Sequence, residues 1–149
     1  MGTLYQPTHL LILGLLAGLI GIVPVIFYIL TLQKALHKCA PQSRTIDPGM
    51  CWLSIVPLVS MVWNFFLVLG VANTLSNEFA LRGAPVQGEK PGQSIGMAMC
   101  ICAVCSVIPI LGVLASLASL ALWIVYWVKI AEFSQKLDVV QPVAQIAAL

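Results

Sequence analysis

Charged side chains are scarce in this chain. Seven Lys+Arg and five Asp+Glu make up 8% of its 149 residues, against about 25% in a soluble domain. So few charges cannot cover a water-facing surface, and a soluble globular fold is excluded. The basic residues are too few and too scattered for the clustered face of a nucleic-acid binder, so no nucleic-acid partner is expected. Histidine is nearly missing too, with His9 and His37 at or beyond the ends of the first apolar run. Haem held by two histidines inside a membrane is thereby excluded. No Ser-His-Asp set, no Gly-rich phosphate loop and no carboxylate pair at a plausible site is present. The chain is therefore read as non-catalytic and as needing no cofactor. Its apolar runs contain no charge at all, which argues against a proton relay, an ion-coupled pump or a voltage sensor.

Five cysteines offer one metal-like spacing, Cys100-x-Cys102-x2-Cys105. On a helix, at about 100° per residue, Cys102 and Cys105 share a face while Cys100 points away. Structural zinc wants a turn and usually a second ligand pair. These are read as small packing residues, and no metal site is expected.

Hydrophobicity is what the chain has in abundance: 60% of its residues, with mean hydropathy +1.02. The expected class is an all-α integral membrane protein in a lipid bilayer, one domain over residues 1–149. Between Lys90 and Lys129 lie 38 uncharged residues. A single helix of that length would run roughly 57 Å, nearly twice a hydrocarbon core of about 30 Å. The block must fold back, and Pro109 to Gly112 supplies the turn: proline breaks the helix and glycine tolerates the reversal. Four transmembrane helices are expected, at about 9–32, 50–74, 92–108 and 110–131, with the last two as a tight hairpin. Residues 83–93 read as a flexible Gly/Pro linker and 138–149 as a loose tail.

The first run, Leu10 to Leu32, is too long for a signal-peptide core and no basic residue precedes it. It reads as a retained span. Gly14, Gly18 and Gly21 fall on one face, a spacing that lets helix backbones approach in lipid, and Pro24 near mid-span is expected to kink it. In the second helix Trp52 is set at headgroup level and Pro57 is expected to kink the helix a turn or two inside. Asn64 near mid-span is expected to face another helix, because a lone amide in hydrocarbon is costly unless paired. Gly96 in the third helix, and Gly112, Ala115, Ser116 and Ser119 in the fourth, supply small faces for the hairpin. Trp123, Tyr126 and Trp127 form an aromatic collar of interface anchors.

Three helices should outrun the bilayer as amphipathic ends. The apolar stripes are Leu32, Ala35, Leu36 and Cys39; Val71, Leu75 and Phe79; and Ile130, Phe133 and Leu137. Glu78 lies off the second stripe, Ser134 off the third, and Lys129 is expected to pair with Glu132. An even number of spans would put Arg82, Lys90, Lys129 and Lys136 on one side with both termini, and Lys34, Lys38 and Arg44 on the other. The charge step across the first helix favours both termini outside. A short phrase recurs at Ile22-Val23-Pro24, Ile55-Val56-Pro57 and Val107-Ile108-Pro109.

Three blocks carry a family resemblance. They are Pro48-Gly49-x2-Trp52 with Ile55-x-Pro57-Leu58 and Trp63; Pro91-Gly92-x-Ser94-Ile95-Gly96; and Tyr126-Trp127-Val128-Lys129-Ile130-Ala131. Over about Leu10 to Leu137 the chain resembles a group of small bacterial multi-span membrane proteins. The resemblance implies a bacterial inner (cell) membrane and brings no known activity. Absent intramembrane charge and small-residue faces lead to the expected function: an accessory or scaffold protein that associates with other membrane subunits or with itself. The competing expectation is a small oligomeric channel or carrier for a neutral or apolar solute, built around the broken helices and Asn64.

Overall fold

Long apolar runs make helices the dominant regular structure of the described residues. The computed structural model describes residues 7–108 and 111–140. It contains α1 (Pro7–His37), a 3₁₀ helix (Pro48–Ile55), α2 (Pro57–Leu81), α3 (Gln93–Cys105) and α4 (Gly112–Val139). Among the described residues there is no strand. Three helical stretches, Thr8–His37, Val59–Leu81 and Gly112–Val139, are long and apolar enough to cross a membrane. With 13 residues, α3 rises only about 20 Å, short of a hydrocarbon core of about 30 Å. Three of the four expected helices thus reach spanning length.

Proline chemistry reshapes the second expected helix. Asp47 caps the 3₁₀ helix by accepting from the Gly49 N–H at 3.3 Å. Val56 then adopts φ −78°, ψ 111°, the extended conformation that a following proline imposes. Pro57 opens α2 in its first turn, where a missing N–H costs nothing. The expected helix over 50–74, kinked at Pro57, is instead two elements that double back. Thr45 bonds Thr74 and Gly70, Ile46 packs on Gly70, and the Trp63 indole donates to Met50 O. Rising numbers in one segment meet falling numbers in the other, so residues 45–55 run antiparallel to α2. Pro24, by contrast, lies inside α1 without ending it, and Pro109 falls outside the described residues. The recurring phrase therefore does not mark a recurring structure.

The same reading of partners fixes the other directions. Lys90 donates to Asn73, Gly96 lies against Val68 and Tyr126, and Ser119 reaches Met99, so α3 runs antiparallel to α2 and α4. Tyr28 stacks near Trp123, Thr31 accepts from Trp127, and Lys38 meets Asp138. Phe79 meets Phe133 and Arg82 reaches Leu137. The three long helices are therefore mutually parallel, joined by two shorter return segments.

All the charged side chains consequently gather toward one end: the C-terminal ends of α1, α2 and α4 and the loops beside them. The expected division of basic residues between two sides is corrected here. Lys38 lies 2.6 Å from Asp138, and Arg82 Nη2 donates to Lys38 O at 3.0 Å, so both supposed sides are one. The expectation assumed four helices of spanning length, and α3, at 13 residues, falls short of that.

The packed core lies at this charged end. Ile29, Leu32, Ala35 and Leu36 of α1 are fully enclosed, with Leu67, Val71 and Leu75 of α2, and Tyr126, Ile130 and Leu137 of α4. Each amphipathic stripe read from the sequence faces inward. Glu78 and Ser134 are buried as well, contrary to their expected outward positions, and each serves a polar contact described below. Glu132 pairs with Lys136 at 2.8 Å rather than with Lys129, since the i, i+4 order Glu-then-Lys suits a helix better. At the opposite end the helices present bare apolar surface, including Leu11 and Leu15 of α1 at 66% and Leu114 of α4 at 72% exposed.

Candidate functional site

Two polar features interrupt this apolar chain. The first binds the charged end together. Glu78, on the inward side of α2, accepts from the Ala40 N–H at 2.8 Å and from the Ser43 hydroxyl. Arg82, one turn later, donates Nε to Glu78 at 2.8 Å. Its remaining nitrogens donate to Leu137 O, Val140 O and Lys38 O. One guanidinium thus ties the C-terminal ends of α1, α2 and α4. Arg44 satisfies the end of α1 by donating to Cys39 O and His37 O, while Lys38 donates to Ser134 O at 2.9 Å. Cys39 lies beneath this knot with its thiol against Ala35 O; burial, then the Glu78 charge, pushes its pKa up to about 12. The sequence signals were the i, i+4 spacing of Glu78 and Arg82 and a cation at a helix end. Placing Glu78 outside hid its partner.

The second feature is a half-open cavity of about 350 Å³ between α2, α3 and α4. Asn64 and Ser60 of α2, Ser106 after α3, and Ser116 and Ser119 of α4 line it, with Met99, Cys100 and Trp123 among the apolar walls. Among the described residues no charged side chain lines it. Three serines give their protons to backbone carbonyls: Ser106 to Ala103 O at 2.6 Å and Ser116 to Val113 O at 2.8 Å within their own turns, and Ser119 across to Met99 O of α3 at 3.4 Å. Asn64 makes no hydrogen bond among the described residues, so the expected interhelical partner is not there; its amide looks into the cavity instead.

The remaining sequence-expected residues divide sharply. Gly96 is a close contact: a Cβ there would lie 2.5 Å from Val68 Cγ1 and 2.9 Å from Tyr126 Cε2. Gly112 is another, with Ser106 O 2.7 Å from the Cβ position. Ala115 is half-buried. Gly14, Gly18 and Gly21 meet nothing within 4 Å, so the expected packing of the first helix on its glycine face is not made among the described residues. Its contacts come from Tyr28 to Cys39 instead, where larger apolar side chains fill the core. Trp52 is exposed, and Trp123 and Trp127 are half-buried around Tyr28. Tyr126 is fully enclosed, not an interface anchor, because Gly92 and Gly96 leave room for its ring. In the Gly/Pro linker, Gly83, Gly88 and Gly92 take positive φ, and Pro91 is buried. Residues 141–149 of the expected tail lie outside the described residues.

Among the described residues no group of His, Cys, Asp and Glu is arranged to hold a metal ion. Set against family models, curated proteins and solved structures, the chain matches none.

Proposed function

We propose that this protein is a non-catalytic integral membrane scaffold that pairs with a second copy of itself through the exposed half of α1. The observation that carries the reading is the contrast within one helix. From Tyr28 onward α1 buries one side, whereas Gly14, Gly18 and Gly21 meet nothing within 4 Å, and Gly14 and Gly18 sit in a shallow groove edged by Leu11, Leu15 and Ile22. Gly14-x3-Gly18 in an apolar helix is the spacing of a transmembrane pairing face. A parallel pair would keep the charged ends of both copies on the same membrane face.

In this reading α1 crosses the bilayer once. The 3₁₀–α2 and α3–α4 segments are two hairpins that enter and leave through the charged face. All seven basic residues then lie on that face, which the positive-inside rule assigns to the cytoplasm. The N-terminal end of α1 is outside and the C-terminal end of α4 inside, in a protein of the bacterial inner membrane, as the family resemblance implies. The cavity around Asn64 favours a second reading, a carrier or binding protein for a neutral solute.

Counting photobleaching steps of singly labelled protein diluted in liposomes tests the pairing. Parent protein and Leu16→Ile should bleach mainly in two steps, and Gly18→Leu mainly in one. Its unfolding midpoint should stay unchanged, since a Cβ at Gly18 meets nothing within 4 Å among the described residues. A parent that is monomeric, or a Gly18→Leu variant that still pairs, overturns the proposal. Co-purification of a different membrane protein in a Gly18-dependent way would replace the second copy by that partner.

A further inference from the structure

We infer that the cavity between α2, α3 and α4 is a binding site for a neutral lipid bearing a free hydroxyl group. This goes beyond the scaffold reading and stands independently of it.

Depth comes first. Lys129 is the charged residue of α4 nearest the apolar end, and the cavity residues Trp123 and Ser116 lie 6 and 13 positions before it. Along a helix those positions are about 9 and 20 Å beneath it, inside the layer where the helices expose apolar side chains. A molecule arriving there comes from the lipid phase, past the exposed lining residues Ser116 and Leu120.

Charge is excluded next. The lining has neither a carboxylate to hold an ammonium nor a cation to hold a phosphate, and an unpaired ion at this depth is strongly disfavoured. The occupant is uncharged.

Hydrogen-bond polarity then selects among neutral groups. The hydroxyl protons of Ser106, Ser116 and Ser119 are given to backbone carbonyls, so toward the cavity these serines offer only oxygen lone pairs. Asn64 offers both an acceptor and two donors. A ligand with acceptors alone, such as an ether, an ester or a quinone, would pair with the Asn64 amide protons only and leave Asn64 Oδ1 and the serine oxygens facing its own lone pairs. A hydroxyl group matches the set: it donates to a serine oxygen or to Asn64 Oδ1 and accepts from the Asn64 amide. The cavity of about 350 Å³ holds roughly a dozen water-sized groups at about 30 Å³ each. That suits a head with the start of its chains, while Met61, Val104 and Leu120 provide the apolar wall along which a tail runs out to lipid. Diacylglycerol has this chemistry, with one free hydroxyl on an uncharged head.

The test uses full-length protein in nanodiscs containing a diazirine-bearing diacylglycerol, with photolabelled peptides mapped by mass spectrometry. Labelling should concentrate around residues 60–64, 99–106 and 116–123. It should compete with unlabelled diacylglycerol and fall with the hydroxyl-methylated ether analogue. Asn64→Leu keeps side-chain volume and removes both hydrogen-bonding functions; loss of one or two bonds should weaken binding roughly three- to tenfold. Ser116→Ala at the mouth, where folding is least at stake, should weaken it less. Melting midpoints of both variants should match the parent. Equal labelling by the ether analogue, or undiminished labelling of a folded Asn64→Leu, overturns the proposal, as does labelling confined to the bare face of α1. Gly18→Leu should leave the labelling unchanged, so failure of the pairing model and failure of this site are read separately.

Discussion

Replacing Arg82 by alanine probes what holds the charged end together. Its guanidinium and the Glu78 carboxylate are only 10% and 5% exposed, so solvent screens them weakly. The substitution removes four hydrogen bonds to three helix ends and leaves Glu78 with Ser43 and Ala40 alone. Hydrogen bonds to charged groups are worth about 1.5–3 kcal/mol each, but they share one side chain and do not add. Breaking a buried pair from one side costs about 3–5 kcal/mol, and that is the expected loss. It is a large fraction of a total stability of about 5–15 kcal/mol. Arg82→Lys retains the charge but not the fork that reaches Leu137, Val140 and Lys38 together, so it should recover less than half. The double change Arg82→Met with Glu78→Leu should be milder than Arg82→Ala, because no uncompensated charge remains. Denaturant unfolding in mixed micelles, followed by the fluorescence of Trp123 and Trp127 beside the core, measures all four proteins. An Arg82→Ala loss under about 0.5 kcal/mol, or a double variant worse than the single, would refute the reasoning.

Other perturbations separate the packed end from the bare one. Gly96→Ala should destabilise by about 1–3 kcal/mol in the same unfolding assay, since its Cβ would fall 2.5 Å from Val68; Gly18→Ala should change nothing measurable. With its pKa pushed up to about 12 by burial and by Glu78, Cys39 should resist a water-soluble maleimide at pH 7.5 in folded protein. Rapid modification there would contradict the enclosed knot. Single cysteines at Val56 and Leu111 should stay unlabelled from the charged face of oriented vesicles, while one at Glu89 labels readily; labelling of all three from that face would remove the two-hairpin arrangement.

Periodicity made the helices and their inward stripes legible, because burial follows local spacing: Leu32, Ala35, Leu36 and Cys39 recur at the helical period and are enclosed as expected. Direction was not legible, because it depends on partners distant in sequence. Pro57 shows the difference. A proline within an apolar run reads as a kink when the run is assumed to be one helix, as at Pro24. Only the contacts of Thr45, Ile46 and Met50 with α2 reveal that the chain has turned back there. Once that return segment exists, the seven basic residues that the expected topology divides four against three gather toward one end of the structure. The same dependence governs Asn64. From sequence alone, the cost of a lone amide argued for a partner on a neighbouring helix. Three serines on the facing segments instead turn their protons to backbone carbonyls. Polar residues at this depth thus line a cavity rather than close it, and the desolvation argument that demanded a protein partner applies equally well to a ligand.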